Sequence, residues 1–122
     1  MRRLLALLAI AVATSCTDPT LGPVQTIDGT WSGVDNGYSL SLSLAQDATG
    51  TVTGAMSLAN LTGIFEGTVT GTFVPPDVHL KFNIQGVEEI SYDGTMSTTE
   101  AKIFARMNGA GINNAEVDVR KR

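Results

Sequence analysis

The chain contains one cysteine, one tryptophan and one histidine, and only 16% of its residues are charged. A lone cysteine excludes an internal disulfide, so any stable fold must be held by packing and backbone hydrogen bonds. There is no Gly-x-Ser-x-Gly elbow, no phosphate-binding glycine loop and no spaced cluster of histidines and cysteines. Those gaps remove the usual signatures of acyl transfer, nucleotide binding and structural zinc. No catalytic residue, metal or cofactor is therefore expected. Cations are scarce too. The formal net charge is −4, and the only basic cluster is Arg120-Lys121-Arg122 at the end of the sequence. Nucleic acid, which demands a basic face, is an unsuitable partner. Long apolar runs are missing except for Leu4–Ala13, and that run is shorter than the roughly 20 residues a membrane-spanning helix needs.

What precedes and follows that run makes it informative. Arg2 and Arg3 stand before it, and Ala13-Thr14-Ser15 lead from it into Cys16. A charged start, a short apolar stretch and small residues form a secretory signal. Residues 1–16 resemble the lipobox of bacterial lipoproteins, with Ala13 where leucine is usual. The resemblance implies cleavage before Cys16, a lipid on its sulfur and attachment to a membrane. Thr17, in place of the aspartate that retains such proteins at the inner membrane, implies an outer-membrane location in the cell envelope. The competing reading is ordinary signal cleavage after Ala13 or Ser15, which leaves a free thiol in an oxidising compartment. Lipidation explains the lone cysteine better. The expected organisation is a signal peptide over 1–15, a lipidated cysteine and flexible tether over 16–26, and one domain over 27–122. Without residues 1–15 the chain carries 6 basic and 12 acidic side chains.

Beyond residue 26 the apolar residues alternate with polar ones, the mark of strands with one buried face. In Tyr38–Leu44, Leu40, Leu42 and Leu44 point one way and Ser39, Ser41 and Ser43 the other. The same alternation places Val69, Phe82 and Ile84 inside, and Ser41, Thr70 and Lys81 outside. Asp35-Asn36-Gly37, Asp47–Gly50, Pro75-Pro76-Asp77 and Gln85-Gly86 supply the turns, and Asn108–Asn114 reads as the longest loop. The expected fold is all-β: eight antiparallel strands in an up-and-down meander, closed into a small β-barrel that leaves no raw edge. Gly54, Gly67, Gly71 and Gly94 fall on the inward face, where they ease coiling and leave room inside.

Gly29-Thr30-Trp31 on the first strand, with Arg120 near the end of the last, resembles the signature of the calycin superfamily, which includes lipocalins and avidins. The resemblance implies that Trp31 and Arg120 pack together and close one end of the barrel. The other reading takes Trp31 as ordinary core and Arg120 as surface. No ligand carries over, since an avidin-type site needs several tryptophans and the fatty-acid-binding pattern needs inward arginines. His79 alternates outward with Lys81 and reads as a surface residue. Glu88-Glu89 reads as a solvated loop end.

Two functions fit. In the first, a membrane-anchored envelope lipoprotein binds a small apolar ligand inside its barrel, in a pocket lined by Leu42, Met56, Phe65, Phe82, Tyr92, Met96 and Met107. The alternative is a structural or protein-interaction lipoprotein with a fully packed core, whose partner surface is the Ser/Thr-rich wall or the loop at 108–114. The volume inside the barrel decides between them.

Overall fold

A computed structural model of the chain describes residues 26–122. The expected signal peptide, Cys16 and the expected tether up to residue 25 lie outside the described residues. The domain is an eight-stranded antiparallel barrel built as a meander. Its elements are β1 (Gly29–Asp35), β2 (Tyr38–Gln46), β3 (Thr51–Asn60), β4 (Gly63–Val74), β5 (Asp77–Asn83), β6 (Ile90–Ser97), β7 (Lys102–Gly109), β8 (Ile112–Glu116) and β9 (Val119–Lys121). Each strand from β1 to β7 pairs with the next in sequence, β8 and β9 both pair with β7, and β9 returns to β1 to close the ring.

β8 and β9 are two halves of one eighth strand. Arg106 faces Glu116 and Met107 faces Ala115 on β8, while Lys102 faces Arg120 and Ile103 faces Val119 on β9, all in one register. Regular pairing lapses at Val117–Asp118. There the Val117 amide still donates to the Ala105 carbonyl at 3.0 Å, and the Val117 carbonyl accepts a 2.5 Å hydrogen bond from the buried Tyr92 hydroxyl. The loop expected over Asn108–Asn114 is shorter than the sequence implied. β7 runs to Gly109 and β8 starts at Ile112, leaving Ala110-Gly111 as the turn, both with positive φ. An alanine in that conformation gave no turn signal, because the positive-φ pair is normally marked by asparagine or glycine.

Elsewhere alternation and burial agree. Leu40, Leu42, Leu44, Val69, Phe82 and Ile84 are buried, and Ser41, Thr70 and Lys81 are exposed. The wall carries polar residues outside and apolar ones inside, opposite to the pattern of a lipid-embedded barrel. The inward side chains form one cluster. At its centre the Phe82 and Tyr92 rings stack with centroids 5.4 Å apart.

The inward glycines serve the coiling expected of them but leave no room inside. A Cβ at Gly54 would overlap the Ser43 carbonyl oxygen, and one at Gly94 the Phe104 carbonyl oxygen; Gly67 and Gly71 meet β5 backbone in the same way. The neighbouring strand, and not empty space, occupies the position of the missing side chain. This close approach lets the strands coil tightly enough to close a narrow barrel.

Two substitutions test this account in opposite directions. Gly94→Ala should lower stability by at least the ~1–3 kcal/mol typical of overpacking, measured by urea denaturation, because backbone and not a flexible side chain must move. Ala101, in the β6–β7 turn, has φ +51°, and Gly50 at the end of the β2–β3 turn also has positive φ. Ala101→Gly should therefore raise stability by about 0.5–1 kcal/mol, the left-handed penalty less the glycine entropy cost. An unchanged or lower midpoint would contradict the strain assigned to Ala101.

Candidate functional site

The two ends of the barrel differ. At the end where β1 begins, Ile27 and Trp31 are fully buried, and the indole Nε1 donates to the Ile27 carbonyl at 2.9 Å. Residues 26–28 are held across this end by Gln46. Its Oε1 accepts the Ile27 amide at 3.0 Å, and its own amide donates to Asp28 Oδ1 at 2.6 Å. The cation over the indole is Lys121, whose Nζ lies 5.8 Å from the ring centroid. Its stem crosses Gly29, where a Cβ would press on Lys121 Cε. Arg120, assigned to this role from the sequence, points outward and is exposed. Alternation is the reason: Val117, Val119 and Lys121 share the inner face, and Arg120 falls between them.

The waist of the barrel is solid. Leu40, Val69, Leu80, Phe82, Tyr92, Ile103 and Met107 have no accessible surface, so no water-sized space adjoins them. Of the residues expected to line a pocket, Leu42, Met56, Phe82, Tyr92, Met96 and Met107 are packed into this core. The Tyr92 hydroxyl is taken by the Val117 carbonyl. Its pKa is pushed well above the ordinary phenol range, chiefly by burial and then by the negative charges of Asp118 and Asp35.

Leu42 and Met56 border a shallow dent in the outer wall, but Phe65 alone of that set opens onto an end of the barrel. It lines a cup of about 210 Å3 at the opposite end, the mouth. Leu58, Ile84 and Ile90 are buried beside it, Tyr38, Val87 and Ile112 form half-buried walls, and Asn60 and Thr62 add polar groups. Four strand connections meet here: Asn36-Gly37, Leu61-Thr62, residues 84–89 and Ala110-Gly111. The mouth is braced by polar contacts to backbone. Thr62 donates its amide and hydroxyl to Asn60 Oδ1 at 2.8 and 2.6 Å, and Glu88 Oε1 accepts the Ala110 amide at 2.9 Å. Sequence reading missed the cup because its walls come from five strands and three connections, which alternation alone does not bring together.

No protein-family model, curated protein or solved structure matches the chain. Function therefore rests on the residues themselves.

Two further groupings bear on chemistry. On the outer wall, Thr72, His79 and Asp93 are neighbours across β4, β5 and β6, and His79 Nδ1 lies 3.0 Å from Asp93 Oδ1. The order imitates a nucleophile–base–acid row. However, the His79 and Asp93 side chains are 63% and 49% exposed, and the row lies on an open wall with no enclosing pocket to exclude water. At the seam, the carboxylates of Asp35, Glu116 and Asp118 lie within 4.8 Å of one another. Here β1 and the eighth strand pair only through Trp31–Lys121 and Ser32–Arg120 before diverging. Asn36 Nδ2 bridges the gap to the Glu116 carbonyl at 2.6 Å. Asp118 Oδ1 is buried without a hydrogen-bond partner. Its carboxyl is held above the usual range by desolvation first, then by the charge and hydrogen bond of Glu116, with Lys102 opposing.

The seam carries a pH signature. Folding raises the Asp118 pKa, so the native state holds that proton more tightly than the unfolded chain. The resulting penalty is absent below the unfolded-chain value of about 3.9 and complete above the raised folded value. Asp118→Asn should therefore raise the melting temperature at pH 7 by a few degrees, where about 1 kcal/mol corresponds to roughly 4–8 °C in a domain of this size. The advantage should shrink as pH falls through that window. A variant that melts lower than the parent at pH 7 would show that Asp118 stabilises the seam.

Proposed function

We propose that this chain is a non-enzymatic, lipid-anchored envelope protein whose barrel is a solid scaffold for protein interaction. The single observation that carries the choice between ligand binder and interaction module is the waist of the barrel. Side chains without accessible surface fill it, the inward glycines are occupied by neighbouring backbone, and the one inward hydroxyl is already bonded. A long apolar ligand has nowhere to lie along the axis. Small-molecule sites commonly measure about 300–1,000 Å3; the mouth cup is about 210 Å3, and the larger concavity of about 420 Å3 along the seam is an open groove lined by Asp35, Lys102, Asp118, Arg120 and Arg122, unsuited to an apolar ligand.

Kinship with the calycins belongs to this proposal as well. It is supported by the eight-strand meander and by Gly29-Thr30-Trp31, with Lys121 supplying the closing cation in place of Arg120. Lipid attachment at Cys16 and residence at an outer membrane rest on the signal-like sequence of residues 1–16. The described domain enters at Thr26, beside Trp31, so a tether from Cys16 reaches the closed end.

Two measurements test the reading. Cys16→Ala should move the protein from the membrane fraction to the soluble fraction; identical fractionation of both forms would remove the anchor. Titration of the unlipidated chain with fatty acids and alcohols of increasing length should leave the melting temperature flat. A ligand bound only by the folded state must raise that midpoint, so a rise that grows with chain length would restore the ligand-binding barrel.

A further inference from the structure

Acidic side chains outnumber cations at the mouth. Its four connections carry Glu88 and Glu89 and no cation, and Asp35 ends β1 beside them. The nearest cations pair with acidic groups, one of which is Glu89 itself. Lys81 Nζ lies 3.9 Å from Glu89 Oε1, and Arg106 lies 3.4 Å from Glu116. Of the remaining cations among the described residues, Lys102, Arg120 and Arg122 line the seam concavity together with Asp35 and Asp118, and Lys121 lies over Trp31 at the closed end. Apolar surface also continues outside the cup. Leu61, at the tip of the β3–β4 hairpin, is fully exposed, and Ile64 on the same hairpin is 71% exposed.

We infer that the mouth docks a basic peptide segment of a partner protein. One apolar side chain of that segment fills the cup, and flanking lysines or arginines face Asp35, Glu88 and Glu89. The inference rests on the interaction-module reading and names its partner chemistry. An apolar anchor in a central pocket with a charged rim is the usual anatomy of a protein contact. The cup has the capacity of one large side chain and not of a long acyl chain. Leu61 and Ile64 lie beyond it, so covering them takes an occupant larger than a small amphiphile. An acidic rim repels anionic lipid and steers a cationic partner inward.

The test uses the exported chain with Cys16→Ala, labelled with 15N and titrated with the capped pentapeptide Lys-Lys-Phe-Lys-Lys. Saturable shifts are expected at the amides of Thr62, Val87 and Ala110, weakening as salt is raised. Lys-Lys-Ala-Lys-Lys and Glu-Glu-Phe-Glu-Glu should each bind about tenfold more weakly or worse. Asp35→Asn with Glu89→Gln should weaken the phenylalanine peptide about threefold and flatten its salt dependence. Glu89 is exposed and Asp35 half-buried, and a circular dichroism melt checks that the fold is kept. Equal binding of the acidic peptide, octylammonium binding as tightly as the peptide, or self-association blocking the same amides would each overturn the inference. So would a titration without shifts. If the fatty-acid melting series is also flat, that last result removes the basic partner and leaves the interaction module standing. A melting rise with chain length removes the module itself.

Discussion

The close approach of backbone to backbone at the inward glycines is the constraint on which this structure depends. At Gly54 and Gly94 the adjacent strand runs where a side chain would otherwise sit. Strands that approach so closely coil strongly, and a coiled eight-stranded meander closes at a small radius. A small radius lets Leu40, Val69, Phe82, Tyr92 and Met107 fill the waist completely. From this one constraint follow the solid interior, the internal use of the Tyr92 hydroxyl and the displacement of any binding to the ends and outer wall. Gross burial of about 1.5–3 kcal/mol for each large apolar side chain accounts for the stability of a domain without an internal disulfide.

The closing seam is the least regular part of the barrel, and its irregularity has a local cause. β1 and the eighth strand share only a short ladder near the Trp31 end. Above it the strands part, Tyr92 takes the Val117 carbonyl, and three carboxylates crowd into the gap. A packed, cation-covered end thus lies below the seam, and an open, acidic mouth lies above it. The two ends are chemically distinct, which gives the molecule a direction.

Much of the fold was legible because a strand with one buried face writes its orientation into every second residue. Leu40, Leu42 and Leu44 against Ser39, Ser41 and Ser43 left no ambiguity, since a one-residue slip would have put three leucines in water. The same rule already held the answer at the last strand. Alternation from Val117 and Val119 leads inward to Lys121, whereas family resemblance pointed to Arg120. Physical periodicity was the better guide there. The Ala110-Gly111 turn was illegible because alanine is a rare occupant of positive φ, and the β-ladder on either side holds it there.

The sequence by itself determined the class of the fold and the facing of nearly every residue from 27 onward. These are local properties, carried by period, turn chemistry and composition. Only the tertiary structure decided whether the barrel is hollow. An inward glycine is compatible with a void or with a neighbouring backbone, and the choice depends on how tightly strands distant in sequence coil against one another. The mouth belongs to the same class of fact. Tyr38, Phe65, Val87 and Ile112 become neighbours only when the ring closes, because no local signal records which loops will share an end.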